Sequence, residues 1–322
     1  MLYNYFVLKL SLRLCGFALY NCFWFYYMRS ATSDGFLAGT RYALALWERK
    51  DYNKCTMTCV RDKLWIWGHE AGSHNTGWGL PACSRMTPME GACYLGVPNC
   101  IMVTYAGKPE PPFEQYACSL DPLDRAIWSI VGDSSSTRND ESSDLEEVIS
   151  LAESHPNIRG AIMDDFICAK PGAETFTCRY STDEIAYFRH RLHAVEPKLD
   201  LWVVLYDHQL DLAVNEYLAS CDGISFWTGK AEGLSRLEEN FNRLEALAPE
   251  SRITLGCYLW DYGDQKPMPV ETMAYQCETG LGWLREGRIE GMIFLASCIC
   301  DLNLEAVEWT RQWIKEVGKT VL

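Results

Sequence analysis

The chain has 322 residues and a formal net charge of -14, from 43 acidic against 29 basic side chains. A field of that sign repels phosphate backbones and no basic stripe offsets it, so nucleic acid is excluded as a partner. The sequence also lacks a Walker A loop, and no G-x-G-x-x-G follows its first predicted strand, which leaves nucleotide chemistry without support.

Residues 14 to 28 (LCGFALYNCFWFYYM) form an apolar block with Lys9 and Arg13 before it and Arg29 after it. The block is short for a membrane span, which needs about 20 residues, and no small-x-small cleavage site follows it. Three readings stay open: an export signal or anchor, with membrane contact only in that case; a segment packed on the rest of the chain; or a misplaced translation start. Residues 1–60 are therefore assigned to an N-terminal extension.

From Lys63 onward the pattern is regular. Apolar runs occur at KLWIWGHE (63–70), NCIMVTY (99–105), AIWSIVGD (126–133), IRGAIMDDF (158–166), LDLWVVLYDH (199–208), CDGISFWT (221–228), RITLGCYLWDY (252–262) and EGMIFLASC (290–298). Near-continuous apolarity marks strands buried on both faces, as a parallel sheet covered by helices requires. Eight such units predict an α/β fold, a single (β/α)8 TIM barrel over residues 61–322, with its functional rim where the strands end.

The intervening segments read as helices. Ser143-x-x-Glu146, Ser181-x-x-Glu184 and Ser235-x-x-Glu238 fit the capping box. Leu237, Phe241, Leu244 and Leu247 share one stripe, as do Leu304, Val307, Ile314 and Val317, with Lys315 and Lys319 near the end of the last helix. Gly287 is expected to stop the seventh helix. The polar stretch Asp133 to Asp144 reads as a rim loop, and long insertions follow the first strand (71–98) and the fourth (167–182).

Fifteen cysteines are present. Cys55 and Cys59 lie four apart and Cys298 and Cys300 two apart, so no pair has zinc-site spacing, while Cys100, Cys257 and Cys298 fall in predicted strands. Reduced thiols are the simplest account, and they favour a reducing, cytoplasmic setting. An export signal at the N-terminus would argue the other way.

Function is read from the strand ends, where carboxylates and aromatic rings converge. The first strand ends in His69 and Glu70, the third in Trp128 through Asp133, the fourth in Asp164 and Asp165, the fifth in Tyr206, Asp207 and His208. The sixth ends in Trp227 and Thr228, the seventh in Tyr258, Trp260, Asp261 and Tyr262. Glycosidic cleavage uses two carboxyl groups, and sugars offer apolar faces to rings and hydroxyl edges to polar groups. Asp165 and Asp261 form the candidate catalytic pair, with Asp164 and Glu70 as further acids. Trp67, His69, Trp128, Tyr206, Asp207, His208, Trp227, Tyr258 and Trp260 are candidate carbohydrate contacts, whereas Trp65, Trp202 and Trp283 are assigned to the core. A carboxyl separation of about 5 to 5.5 Å would mean retention of configuration and about 6.5 to 9.5 Å inversion.

The arrangement resembles glycoside-hydrolase barrels that place an acid/base at the end of strand four and a nucleophile at the end of strand seven. The stretch NIRGAIMDDF also resembles the fourth strand of poorly characterised bacterial glycosidase-like barrels. The resemblance implies a carbohydrate substrate and no cofactor. Those barrels commonly carry Asn-Glu at strand four and Glu at strand seven, where this chain has Asp164-Asp165 and Asp261. Two alternatives stand beside this reading. One is a metal-dependent hydrolase or isomerase using His69, Glu70, Asp164, Asp165 and His208. The other is a carbohydrate-binding barrel without catalysis.

Overall fold

The computed structural model describes residues 57–139 and 142–322. The apolar segment at 14–28 lies outside the described residues. From Met57 to Leu322 the chain forms one compact unit.

Eight parallel strands close into a barrel: β1 (Leu64–Gly68), β2 (Asn99–Met102), β3 (Arg125–Val131), β4 (Ile158–Met163), β5 (Asp200–Tyr206), β6 (Gly223–Trp227), β7 (Arg252–Tyr258) and β8 (Gly291–Leu295). All eight coincide with the predicted runs. Closure comes from β1 pairing with β8, with Leu64 opposite Met292 and Trp67 opposite Leu295. The helices are α1 (Pro88–Leu95), α2 (Glu114–Leu120), α3 (Leu145–Ser154), α4 (Thr182–His193), α5 (Asn215–Ala219), α6 (Leu237–Leu247), α7 (Val270–Glu286) and α8 (Glu305–Val317). Short hairpins pair Ile167–Cys168 with Thr177–Cys178 after β4, and Trp260–Asp261 with Lys266–Pro267 after β7.

Helix stripes pack as their periodicity requires. Leu237, Phe241 and Leu244 of α6 are fully buried, as is Val307 of α8, each such side chain contributing about 1.5–3 kcal/mol of burial. Gly287 ends α7 at a φ of 72°, a left-handed conformation in which glycine carries no Cβ penalty. Just beyond it, Arg288 forms a two-pronged contact with Glu245 at 3.1 and 2.7 Å. It also covers the Phe241 and Trp283 rings, tying α7 to α6.

Helix starts correct the sequence reading in two places. The Ser181–Glu184 box forms as predicted, with Glu184 accepting from the Ser181 amide at 2.8 Å. At α3 the cap is Asp144, whose carboxylate pairs with Arg138 at 2.7 Å, so Ser143 makes no box. Ser235 sits inside a 3-10 turn, Ala231–Arg236, and donates to the Glu232 carbonyl instead. A box that was not predicted, Thr87 with Glu90, opens α1.

The barrel axis is filled by large rings opposite small residues. A Cβ on Gly223 would stand 2.3 Å from the Trp202 ring, and one on Gly256 would stand 2.0 Å from the Trp227 ring. Trp227 meets Trp67 edge-on at 5.1 Å and donates its indole N–H to Ser225 at 2.8 Å. Below this layer, at the N-terminal face, a cavity of about 70 Å3 is lined by Trp65, Trp202, Ser225 and Thr254 and rimmed by Arg125, Arg159 and Arg252. Arg125 and Arg252 each cover a tryptophan, Trp65 and Trp202 respectively. The expected core assignments of Trp65, Trp202 and Trp283 hold.

Gly256→Val should lower stability by about 1–3 kcal/mol, because overpacking forces ring or backbone shifts. The measurement is a urea midpoint; an unchanged midpoint would show that Trp227 does not depend on the missing side chain.

Candidate active site

The C-terminal ends of the strands meet in one polar cluster centred on β4. Regular strand geometry stops at Met163, so Asp164 and Asp165 do not alternate across the wall. Asp165 takes a φ of 40°, an uncommon left-handed conformation that aspartate tolerates better than most residues. Its Oδ1 accepts from the Tyr206 hydroxyl at 2.8 Å, and its Oδ2 accepts from the Ser134 amide at 3.1 Å and hydroxyl at 2.9 Å. Three donors on two oxygens suit an acceptor-only carboxylate and fix its orientation.

Asp164 lies behind it and is buried. Its amide donates to the Val131 carbonyl, and its Oδ1 accepts from the Asp165 amide at 3.0 Å. Burial holds its carboxyl well above the usual carboxylate range, and the nearby charges of Asp165 and Asp133 push the same way. Arg179 opposes them and donates to the carbonyls of Gly132 and Asp133 at 3.0 and 2.8 Å. Asp133 is engaged by its own loop, accepting from the Ala106 amide at 2.8 Å and from Ser135.

Burial also raises the Tyr206 and Tyr258 hydroxyls, and the neighbouring aspartates add to it, so both phenols keep their protons as donors. Tyr258 contacts Trp227 at 5.0 Å and Tyr262 at 5.4 Å between ring centroids. Tyr262 in turn meets the Nδ1 of His74 at 2.9 Å. His74 packs 4.5 Å from His69, with Tyr105 edge-on to both. Burial lowers His74 to about 4, and burial, with His74 beside it, holds His69 well below the usual imidazole range, so both rings favour the neutral form.

The remaining candidates divide. Asp261 is 1% exposed; its Oδ1 accepts from the Asp264 amide at 3.1 Å as a turn cap, while its Oδ2 has no hydrogen-bond partner and lies 3.9 Å from Lys266. Glu70 accepts from Tyr116 of α2. Asp207 accepts from the Gly229 amide at 3.3 Å, and His208 stacks on Tyr206 and bonds the Ala169 carbonyl at 3.2 Å. Trp67, Trp128, Trp227 and Trp260 are at most 3% exposed. The rings that reach solvent at this face are instead the half-buried Trp78, Tyr105, Tyr206, Tyr258 and Tyr262.

Among the described residues, the five side chains considered as metal ligands at the mouth do not gather. The groups of ligand type that do converge lie elsewhere. Residues that sequence reasoning did not select include Ser134, Arg179, Trp78 and Tyr105. Ser134 stood inside the polar stretch after β3, which was the one available signal for it.

No family model and no curated protein matches the sequence. Solved structures do match. Active domain 2 of a chitinase from Pyrococcus furiosus aligns with a TM-score of 0.51 at 13% identity, over 82% of this chain and 99% of that one. The same domain complexed with chito-oligosaccharides gives 0.50 at 14% identity, over 82% and 98%. YKL-39, solved in the presence of chitooligosaccharides, gives 0.50 at 12% identity, over 78% and 98%. The chain is similar in fold to these barrels. The (β/α)8 barrel expected from the sequence is the fold present, and it is shared with these structures.

Asp164 makes stability depend on pH in a defined direction. In the unfolded chain an aspartate ionises near about 4, whereas in the fold Asp164 keeps its proton to higher pH. The folded state therefore binds more protons between those two values, and stability falls as pH rises through that window. Asp164→Asn should gain stability over the parent at about pH 8 and lose that advantage at about pH 3. Urea midpoints at the two values decide it; an equal shift at both would mean that ionisation plays no part.

Proposed function

We propose that the protein is a glycoside hydrolase acting on a β-linked amino-sugar oligosaccharide of the chito-oligosaccharide class. The observation that carries this reading is Asp165, half-buried at the rim, held by Tyr206 and Ser134 and backed by the buried Asp164, whose carboxyl is raised by burial. The fold shared with a chitinase domain that has been complexed with chito-oligosaccharides supports the choice of substrate class.

In this reading Asp165 is the strand-four carboxylate that faces the glycosidic bond. Tyr206 and Ser134 set its geometry. Burial of Asp164 behind it favours that carboxyl's protonated form, one residue away. Asp261 is the second carboxylate. One oxygen is committed to its turn, and the other is buried without a hydrogen-bond partner, a condition that native structures rarely leave unused. The half-buried Trp78, Tyr105, Tyr258 and Tyr262 supply ring faces for sugar C–H groups.

Cleavage of chito-oligosaccharides and of aryl glycosides of N-acetylglucosamine should be detectable with the full chain. Asp165→Asn is expected to lower kcat by about 10²–10⁴-fold, and Asp261→Asn to lower it comparably, with the far-UV circular dichroism of both unchanged. Tyr206→Phe should cost less, since it removes one of three hydrogen bonds to Asp165. Binding without turnover in the parent chain would assign the non-catalytic carbohydrate-binding role instead. A parent chain that neither binds nor cleaves these sugars would overturn the reading.

A further inference from the structure

Away from the rim, on the outer wall between α2 and α3, three side chains with metal-ligating atoms come together. Glu114 and Cys118 lie one turn apart on α2, so both project from the same face. His155 caps the C-terminus of α3; its amide is held by the Leu151 carbonyl, and its own carbonyl is held by the Ile158 amide. Asn157 fastens this corner to the end of α2 by donating to the Leu120 carbonyl at 2.9 Å. The backbone positions from which the three side chains project are thus set by contacts of the fold itself.

Their ligand atoms lie within 4.8 Å of one another. His155 Nε2 stands 3.2 Å from Glu114 Oε2, and Cys118 Sγ stands 3.9 Å from Glu114 Oε1. A tetrahedral zinc site with bonds of about 2.0–2.3 Å has ligand–ligand edges of about 3.3–3.7 Å. The cluster is therefore close to the required size before any adjustment, and Glu114 and Cys118 are exposed enough to make that adjustment.

Two further observations point to an ion. The His155 ring is 4% exposed, and its Nε2 faces Glu114 Oε2 at 3.2 Å, so both ligand atoms already point at one spot. Its other nitrogen, Nδ1, meets Asp121 Oδ1 at 2.7 Å. A carboxylate on the far nitrogen of a ligating histidine is the usual arrangement that fixes the ring and its tautomer in metal sites.

We propose that Glu114, Cys118 and His155 bind a thiophilic divalent ion of the zinc type, with Asp121 as the positioning residue and a fourth position open to water. A thiolate and an imidazole favour zinc, cobalt or a similar ion over magnesium or calcium, which take oxygen ligands. The ion would pin α2 to α3. Through Tyr116, which sits between the two α2 ligands and donates to Glu70, that pinning would reach the rim. Whether this wall binds an ion does not depend on whether the rim cleaves glycosides.

The test is a cobalt titration of the full chain after dialysis against a chelator. One equivalent of Co2+ should produce a thiolate-to-cobalt charge-transfer band in the near ultraviolet, and added Zn2+ should bleach it. Cys118→Ser should abolish the band. Asp121→Asn should retain it but weaken affinity about 10–100-fold. Cys83 and Cys93 are also exposed thiols, so the comparison with Cys118→Ser assigns the site. A band of equal strength in that variant overturns the proposal, as does its absence in a folded parent chain. Cys118 is exposed, which makes its replacement tolerable to the fold; Glu114→Gln, expected to weaken Co2+ binding, provides a second variant.

Discussion

Closure of the sheet is the constraint on which everything else depends. Once β1 pairs with β8, every strand has two neighbours and the barrel has no open parallel edge to protect. Closure also decides where polar residues can stand. A backbone buried on both faces takes apolar side chains along its length and leaves carboxylates and hydroxyls for the last residue or two, where the ladder ends. Asp133, Asp164, Asp165, Asp207 and Asp261 all lie at such ends or just beyond them. Their gathering on one rim follows from parallel closure and requires no further instruction.

That gathering has an electrostatic cost. Three carboxyl groups close together in a mostly buried setting cannot all ionise cheaply, and the molecule responds in more than one way. Burial raises the Asp164 carboxyl, Asp133 is wrapped by backbone and side-chain donors from its own loop, and Asp165 takes hydrogen bonds from Tyr206 and Ser134. Arg179 supplies the nearby positive charge while tying down two carbonyls of the same loop. The three neighbouring acids thus stand in different surroundings, one buried and two held by donors.

The eight strands were legible because near-continuous apolar runs, recurring with helical segments between them, fit little besides buried parallel strands. Helix starts were less so, since a serine three residues before a glutamate is a local pattern that tertiary contacts override. Arg138 drew Asp144 into the cap of α3, and a 3-10 turn took up Ser235. The acids of the rim could be named from strand ends, but their partners could not. Tyr206 and Asp165 are 41 residues apart, and Asp165 and Ser134 are 31 apart. The tryptophans were legible only as apolar mass. Whether a ring faces the axis or the mouth depends on whether the opposing strand offers a glycine, as Gly256 does for Trp227. The Glu114, Cys118 and His155 cluster had no motif spacing because its members come from two helices.

The indole layer formed by Trp67 and Trp227 separates the two poles of the barrel. Below it, the arginine-rimmed cavity holds its own small volume; above it stand the acids. Two buried rings in edge-to-face contact thus stand between that cavity and the acids. The two ends of the barrel are therefore separate polar environments, one rimmed by arginines and the other by carboxylates.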